Sequence, residues 1–277
     1  MAKFSKLTAV ILLFPLMLTL HCSAAYGAPK ANLWPYWQKH DPDSVVIVDH
    51  GRWDTILRQY VEANHPSGIN RFHYKRVSEE GRQFLKAYLH DMGEVKVSSL
   101  NRSEQKAFWI NLYNALTVEV ILTHHPVRSI REINISPGIF SRGPWDAELI
   151  TIEGQQLSLN DIEHRILRPI WHDNRVHYAV NCASLGCPNL QPQPFTARNT
   201  EMLLEKAARE FINHPRGVTF NNRMQVSSIY FWFREDFGGS ENGIIEHLQK
   251  YLSPENLAKL ETVKKPLSHG YNWDLNE

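Results

Sequence analysis

The sequence predicts an α+β fold, a single globular domain of helices packed around a small mixed or antiparallel sheet. Two observations lead there. Stretches with apolar residues at helical spacing alternate with short apolar runs bounded by Gly, Pro and Asn, so helices and brief strands are interleaved. Neither an internal repeat nor a low-complexity linker divides the 277-residue chain, which argues for one unit. At 43% hydrophobic and 11% aromatic the chain can fill a large core, which excludes a disordered protein.

Residues 1–27 read as a secretory signal peptide and residues 28–277 as the domain. Lys3 and Lys6 precede an apolar run from Leu7 to Leu20, and Ala24, Ala25 and Gly27 supply small residues before a cut at Ala28. The run is shorter than the roughly 20 residues that span a bilayer. A secreted or periplasmic protein is therefore expected, not a membrane-spanning one. Lipidation at Cys22 ranks behind, because bulky His21 stands where a small residue belongs.

Helical spacing of Trp53, Ile56, Leu57 and Tyr60 marks the first helix of the domain, and Asn64 to Gly68 a turn. Arg71 to Lys75 is read as extended. Ser78 caps a helix whose apolar face includes Phe84, Leu85 and Leu89. Asn101 with Glu104 forms a capping box for a helix that is apolar on nearly every side and ends before Pro126, so it must be buried all round. A hairpin is expected around Leu149–Ile152, and Asn160 with Glu163 repeats the capping spacing. Residues 176–181 read as a buried strand ending at Cys182. Thr200 to Ile212 is an amphipathic helix. Val218–Phe220 and Met224–Val226 flank an Asn221-Asn222 turn, and helices follow at Ile244–Leu248 and after Ser253-Pro254.

With 30 Lys+Arg against 29 Asp+Glu the chain is close to neutral. That excludes a mainly electrostatic nucleic-acid binder. Beyond Cys22 only Cys182 and Cys187 remain. Their spacing misses the C-x-x-C redox pattern, and no H-E-x-x-H or paired C-x-x-C supplies a metal site. A thiol at a strand end beside a turn of small residues, Ala183 to Gly186, suits nucleophilic chemistry, with turn amides available to an anion. If the strand is regular, His177 points to the opposite face from Cys182 and lies roughly 16 Å away. Asn111 and Asn114 stand three apart on the apolar helix, where buried amides must find polar partners. Tyr230 to Phe237 reads as an aromatic wall with a charged end, and the segment His269 to Asp274 could return an imidazole to the site.

Three motifs in this order resemble the domain of unknown function 547 family. They are Glu104-Gln-Lys-Ala-Phe-Trp-Ile-Asn-Leu-Tyr-Asn-Ala-Leu116, Arg175-Val-His-Tyr-Ala-Val-Asn-Cys-Ala-Ser-Leu-Gly-Cys-Pro188 and Tyr271-Asn-Trp-Asp-Leu-Asn276. The similarity runs over roughly residues 50–277 and includes Ser158 to Glu163 and Trp232 to Phe237. By that resemblance Glu104, Asn111, Asn114, Arg175, His177, Cys182 and Ser184 match recurrent polar positions, and Cys182 has a role beyond pairing with Cys187. Asn272 replaces a more usual acid, so that segment is assigned no catalytic acid.

The expectation is an exported thiol-dependent hydrolase or acyl transferase acting on an amide or ester. Cys182 is its nucleophile, His177 the nominated histidine and Asn111 an orienting group; Glu104, Asn114, Arg175 and Ser184 hold the substrate. No cofactor and no metal are required. The substrate class is a small molecule or a peptide, and a cell-envelope partner fits the location. A non-catalytic envelope scaffold stapled by a Cys182–Cys187 disulfide is the alternative, and a metal-binding module a third reading.

Overall fold

In the computed structural model, which describes residues 28–138, 142–220, 223–260 and 267–277, helix α3 (Arg102–His124) organises the rest. Its side chains from Glu104 to Leu122 are buried with the exception of Glu119. Each large apolar group buried in this way contributes roughly 1.5–3 kcal/mol, so one segment anchors most of the main core. Asn101 caps the helix as expected, accepting from the N–H groups of Ser103 and Glu104 at 3.1 and 3.0 Å. Glu104 does not close the capping box. Its carboxylate accepts from the Val48 N–H at 3.4 Å and so ties the preceding loop to the helix.

Helices α1 (Gly51–Tyr60) and α2 (Glu79–Gly93) pair on one side of α3. Ser78 caps α2 by accepting from the Gly81 N–H. The buried face of α2 is Gly81, Leu85, Tyr88 and Met92, whereas Phe84 is exposed, so its apolar stripe is rotated from the expected one. A π-helical segment, Asp161–Leu167, runs into the short α4 (Arg168–Trp171) and packs on another side of α3. Its cap is not Asn160. Ser158 and Asp161 exchange bonds, Ser158 N–H to the Asp161 carboxylate at 2.9 Å and Asp161 N–H to the Ser158 hydroxyl at 3.1 Å. Glu163 is thereby freed to face the interior.

Helix α5 (Thr200–Ile212) joins this core to a second one built from Tyr178, Phe211, Tyr230, Phe237 and Leu248. Around the second core lie α6 (Ile229–Trp232), α7 (Glu241–Gln249) and α8 (Pro254–Leu260). Strands β1 (Val61–Glu62) and β2 (Arg71–Phe72) pair antiparallel, as do β3 (Ile150–Ile152) and β4 (Gln155–Leu157). The third sheet is mixed: β5 (Val218–Phe220) runs antiparallel to β6 (Met224–Ser227), which pairs in parallel with β7 (Ser268–Gly270). The fold is thus a single α+β domain in which α1, α2, α4 and α5 gather about α3 and α6–α8 about the second core, with the small sheets packed against them. No described helix is long and apolar enough to cross a membrane. The signal-peptide reading and the Asn221-Asn222 turn fall outside the described residues.

The strand expected at 176–181 is absent. Residues Asn174–Tyr178 form a 3₁₀ turn instead. Asp173 is the cause: its carboxylate accepts from the Arg175 N–H at 3.0 Å and from the Arg175 guanidinium at 2.9 and 2.8 Å, local bonds that compete with extended pairing. The period-two alternation that set His177 and Cys182 on opposite faces therefore does not apply.

Candidate thiol site

The cysteine turn is held from three sides. From α3, Asn114 donates to the Ala179 carbonyl at 2.9 Å and accepts from the Asn181 N–H at 2.8 Å. Within the loop, Asn181 accepts from the Ala183 N–H and donates to the Pro188 carbonyl. From the C-terminus, Leu185 and Gly186 N–H groups donate to the Asp274 and Asn272 carbonyls, both at 2.8 Å, and Asn276 N–H donates to the Ala183 carbonyl at 3.1 Å. A Cβ on Gly186 would lie 2.8 Å from the Asn272 backbone, so only glycine permits this approach. Ala183, buried and next to the thiol, holds φ at 58°, a left-handed conformation that costs a non-glycine residue about 1 kcal/mol or more.

Cys182 is partly exposed and Cys187 buried, both as free thiols with their sulfurs 2.6 Å apart. Cys187 Sγ also accepts from the Cys182 N–H at 2.9 Å. Tyr271 Oη lies 3.1 Å from Cys182 Sγ and 2.9 Å from Ser184 Oγ, which is itself 3.3 Å from the sulfur. Burial pushes the Cys182 thiol well up, and contact with Cys187 adds to it. At Cys187 burial acts the same way but is outweighed by hydrogen bonds from Cys182 and Tyr271, so its thiol is lowered. The pair therefore shares a single negative charge more readily than it bears two. Burial and the two sulfurs hold the Tyr271 phenol well above its ordinary value, which keeps it a donor.

The C-terminal segment does return to the site, but it brings a phenol. His269 bonds Ser228 instead. Most of the turn amides are not available to an oxyanion. Those of Cys182, Ala183, Leu185, Gly186 and Cys187 are all bonded within the fold.

His177 is elsewhere in bonding terms. Its Nε2 meets the Asp236 carboxylate at 2.7 Å, its Nδ1 faces Glu163 at 3.4 Å, and the ring stacks on Phe233 at 4.0 Å. Arg168 grips Asp236 at 2.6 and 3.1 Å while donating to the Pro29 carbonyl and His164. Burial alone would lower the His177 pKa; Asp236 and Glu163 outweigh it and raise it. Glu163 is held at about 2: burial opposes this, and His164, His177 and Arg168 prevail. Tyr113 links the two regions. Burial, the nearby Glu163 and both cysteines push its phenol pKa well up.

Of the remaining predicted residues, Asn111 is fully buried and pairs both ways with the Phe195 backbone, at 2.7 and 2.9 Å. Asn114 and Ser184 are brought to the cysteine turn. Arg175 lies in a separate ion cluster with Asp173, Glu201 and Lys106. Glu104 remains at the helix start, its pKa raised by burial. Sequence reasoning passed over Tyr271, Tyr113 and Glu163 as site groups, although Tyr271 sits in a motif already singled out and Glu163 stands between Ile162 and Ile166. Among the described residues no group of three or more His, Cys, Asp or Glu is suited to hold a metal ion.

A family model described as protein of unknown function, DUF547, matches residues 97–212, a span that includes α3, the 3₁₀ turn and the cysteines. No curated protein and no solved structure matches the chain.

Proposed function

The chain belongs through residues 97–212 to the DUF547 family, and from that premise we propose that it is an exported thiol-dependent hydrolase or acyl transferase acting on an amide or ester. The observation that carries this reading is the half-buried Cys182, its sulfur in contact with a second thiol and a phenol. Cys182 attacks the substrate carbonyl as its proton passes to Cys187, whose lowered pKa leaves it the ionised member of the pair and so free to take that proton. The S–C bond forms, the tetrahedral oxyanion takes a hydrogen bond from Tyr271, and the C–N or C–O bond breaks as Cys187 returns the proton to the leaving group. Water or an acceptor nucleophile then releases the acyl group. His177 has no part in this sequence, and Asn114 holds the turn in place. Export is supported by the basic, apolar and small-residue order of residues 1–27, and it suits a peptide or small envelope substrate.

A second reading is favoured by the contact between the sulfurs: a non-catalytic scaffold closed by a Cys182–Cys187 disulfide. Titrating free thiols in exported protein and treating it with p-nitrophenyl acetate separates the two. The enzyme reading expects two titratable thiols and one acyl adduct on Cys182, lost in Cys182→Ser and slowed at least tenfold in Cys187→Ser. An unreactive disulfide, or undiminished acylation in Cys182→Ser, rejects it.

A further inference from the structure

One cation at the cysteine loop has no part in the steps above. Helix α5 ends at Ile212, and the turn after it is so tight that a Cβ on Gly217 would lie 1.9 Å from the Phe211 carbonyl oxygen. That turn lays the Arg216 side chain over the Phe211 ring, 5.5 Å from its centroid, and on to the cysteine loop. There Nη2 donates to Asn189 Oδ1 at 2.6 Å and Nη1 to the Leu185 carbonyl at 3.4 Å. Leu185 stands inside the turn closed by the Cys187 N–H on the Ser184 carbonyl, and Asn189 follows just beyond Cys187. Arg216 thus grips the loop on both sides of the buried thiol.

A guanidinium partly withdrawn from water needs an opposite charge nearby. Among the described residues no carboxylate lies within ion-pair distance of Arg216, and its Nε has no hydrogen-bond partner. The groups whose charge supports it are Cys187, Tyr271 and Glu210, with Arg71 opposing. Glu210 is already paired with Lys206 at 2.7 Å. The Tyr271 phenol stays protonated, and burial holds Tyr74 and Tyr113, which also feel the two sulfurs, well above their ordinary values. His214, whose Nδ1 accepts from the Arg216 N–H, is kept neutral by burial, with Arg216 adding to it. The thiol pair is the anion that remains. Burial lowers the guanidinium pKa to about 10, which leaves it charged at neutral pH.

We propose that Arg216 is a positioning residue of the thiol site, an inference that rests on the thiol-dependent reading above: its guanidinium is the counter-ion of the negative charge that Cys182 and Cys187 share, and it holds the loop that carries the buried sulfur. Ionised Cys187 favours the charged guanidinium, so by linkage the guanidinium favours ionised Cys187 to the same extent. A nearby opposite charge commonly moves a titration by about one pH unit or more. Arg216 acts on the substrate only through Cys187, by keeping that sulfur able to take the Cys182 proton.

The test is the pH profile of Cys182 alkylation by iodoacetamide in the folded protein, with the adduct located by peptide mass spectrometry. Arg216→Met keeps an apolar stem over Phe211 and removes the charge. Its profile is expected about one pH unit above the wild-type one, so alkylation near pH 8 slows about tenfold while the limiting rate at high pH is kept. Arg216→Lys, which restores the charge but not the planar fork, recovers at least about half of that shift. If Arg216→Met does not fold, Arg216→Gln, which retains a donor for Asn189, is read by the same profile. A midpoint unmoved by loss of the charge, or one that Lys fails to recover, overturns the role. Acylation by p-nitrophenyl acetate is scored separately. Acylated wild-type protein with coincident midpoints keeps the thiol reading and rejects Arg216, whereas displaced midpoints without acylation keep the counter-ion and reject the thiol reading.

Discussion

The Cys182 turn and the His177 cluster stand on either side of Tyr113 and use polar groups in opposite ways. Around His177 every charge has an opposite partner: Asp236 takes both His177 and Arg168, and Glu163 faces His177 and Tyr113. Around Cys182 most turn amides are bonded, and the side-chain atoms face one another, thiol to thiol to phenol to hydroxyl, at a half-buried residue. A charge-paired buried cluster supports the fold, whereas soft groups sharing one charge at a half-buried residue can react. The histidine that motif membership nominated thus lies in the first kind of region, and the proposed chemistry rests on the second.

The sharpest break between the regions is Asp236→Ala. It strands the Arg168 guanidinium and the His177 imidazole without their shared carboxylate. Removing one member of a buried ion pair is strongly destabilising, and with Asp236 partly exposed about 3 kcal/mol is expected. Urea unfolding measures it, while the rate of Cys182 alkylation in the folded protein stays at the wild-type value. A loss below about 1 kcal/mol, or an alkylation rate that falls with it, would mean that the two regions are not separate in function.

Acid probes the same contrast less severely. Burial lowers the pKa of His164 from 6.5 to about 4, against the pull of Glu163. Its folded value is depressed, so its neutral form stabilises the protein fully above pH 6.5, and this contribution is lost as pH falls from 6.5 toward 4. Glu163 then loses its own contribution between pH 4.5 and about 2. Replacing His164 by Gln, which keeps a neutral acceptor for Arg168, should flatten the stability curve between pH 6.5 and 4 by about 2 kcal/mol. Denaturant midpoints across that window check it. An unchanged slope would remove His164 from the acid-sensitive set.

How far these regions were legible follows from the range of the forces involved. Helix α3 declared itself because burial on every face leaves an unbroken apolar pattern, and its cap because Asn101 acts two and three residues away. The pairing of Asn114 with the cysteine turn was half visible: a buried amide demands a partner, but not a named one. The 3₁₀ turn at Asn174–Tyr178 was hidden, since one aspartate bonding forward overrode an apolar run that reads as a strand. The meeting of Asp236 with His177 across 59 residues, and of Tyr271 with Cys182 across 89, depends on how elements stack. No local period carries that information.

Tyr271→Phe tests the reactive side with the smallest disturbance. The ring keeps its contacts with Trp232 and Trp273, at 4.8 and 4.6 Å, so packing is retained and stability should fall by about 1 kcal/mol or less. What disappears is the phenolic donor 3.1 Å from Cys182 Sγ, which lowers that thiol's pKa against burial and Cys187. One hydrogen bond to a developing thiolate is worth about 1.4 kcal/mol, so alkylation of Cys182 at fixed pH near 8 should slow about tenfold. The pH profile should move upward, with the limiting rate at high pH kept. A uniform slowing at all pH values would instead point to altered access. No change at all would show that the phenol does not stabilise the thiolate, leaving the oxyanion role of Tyr271 without support.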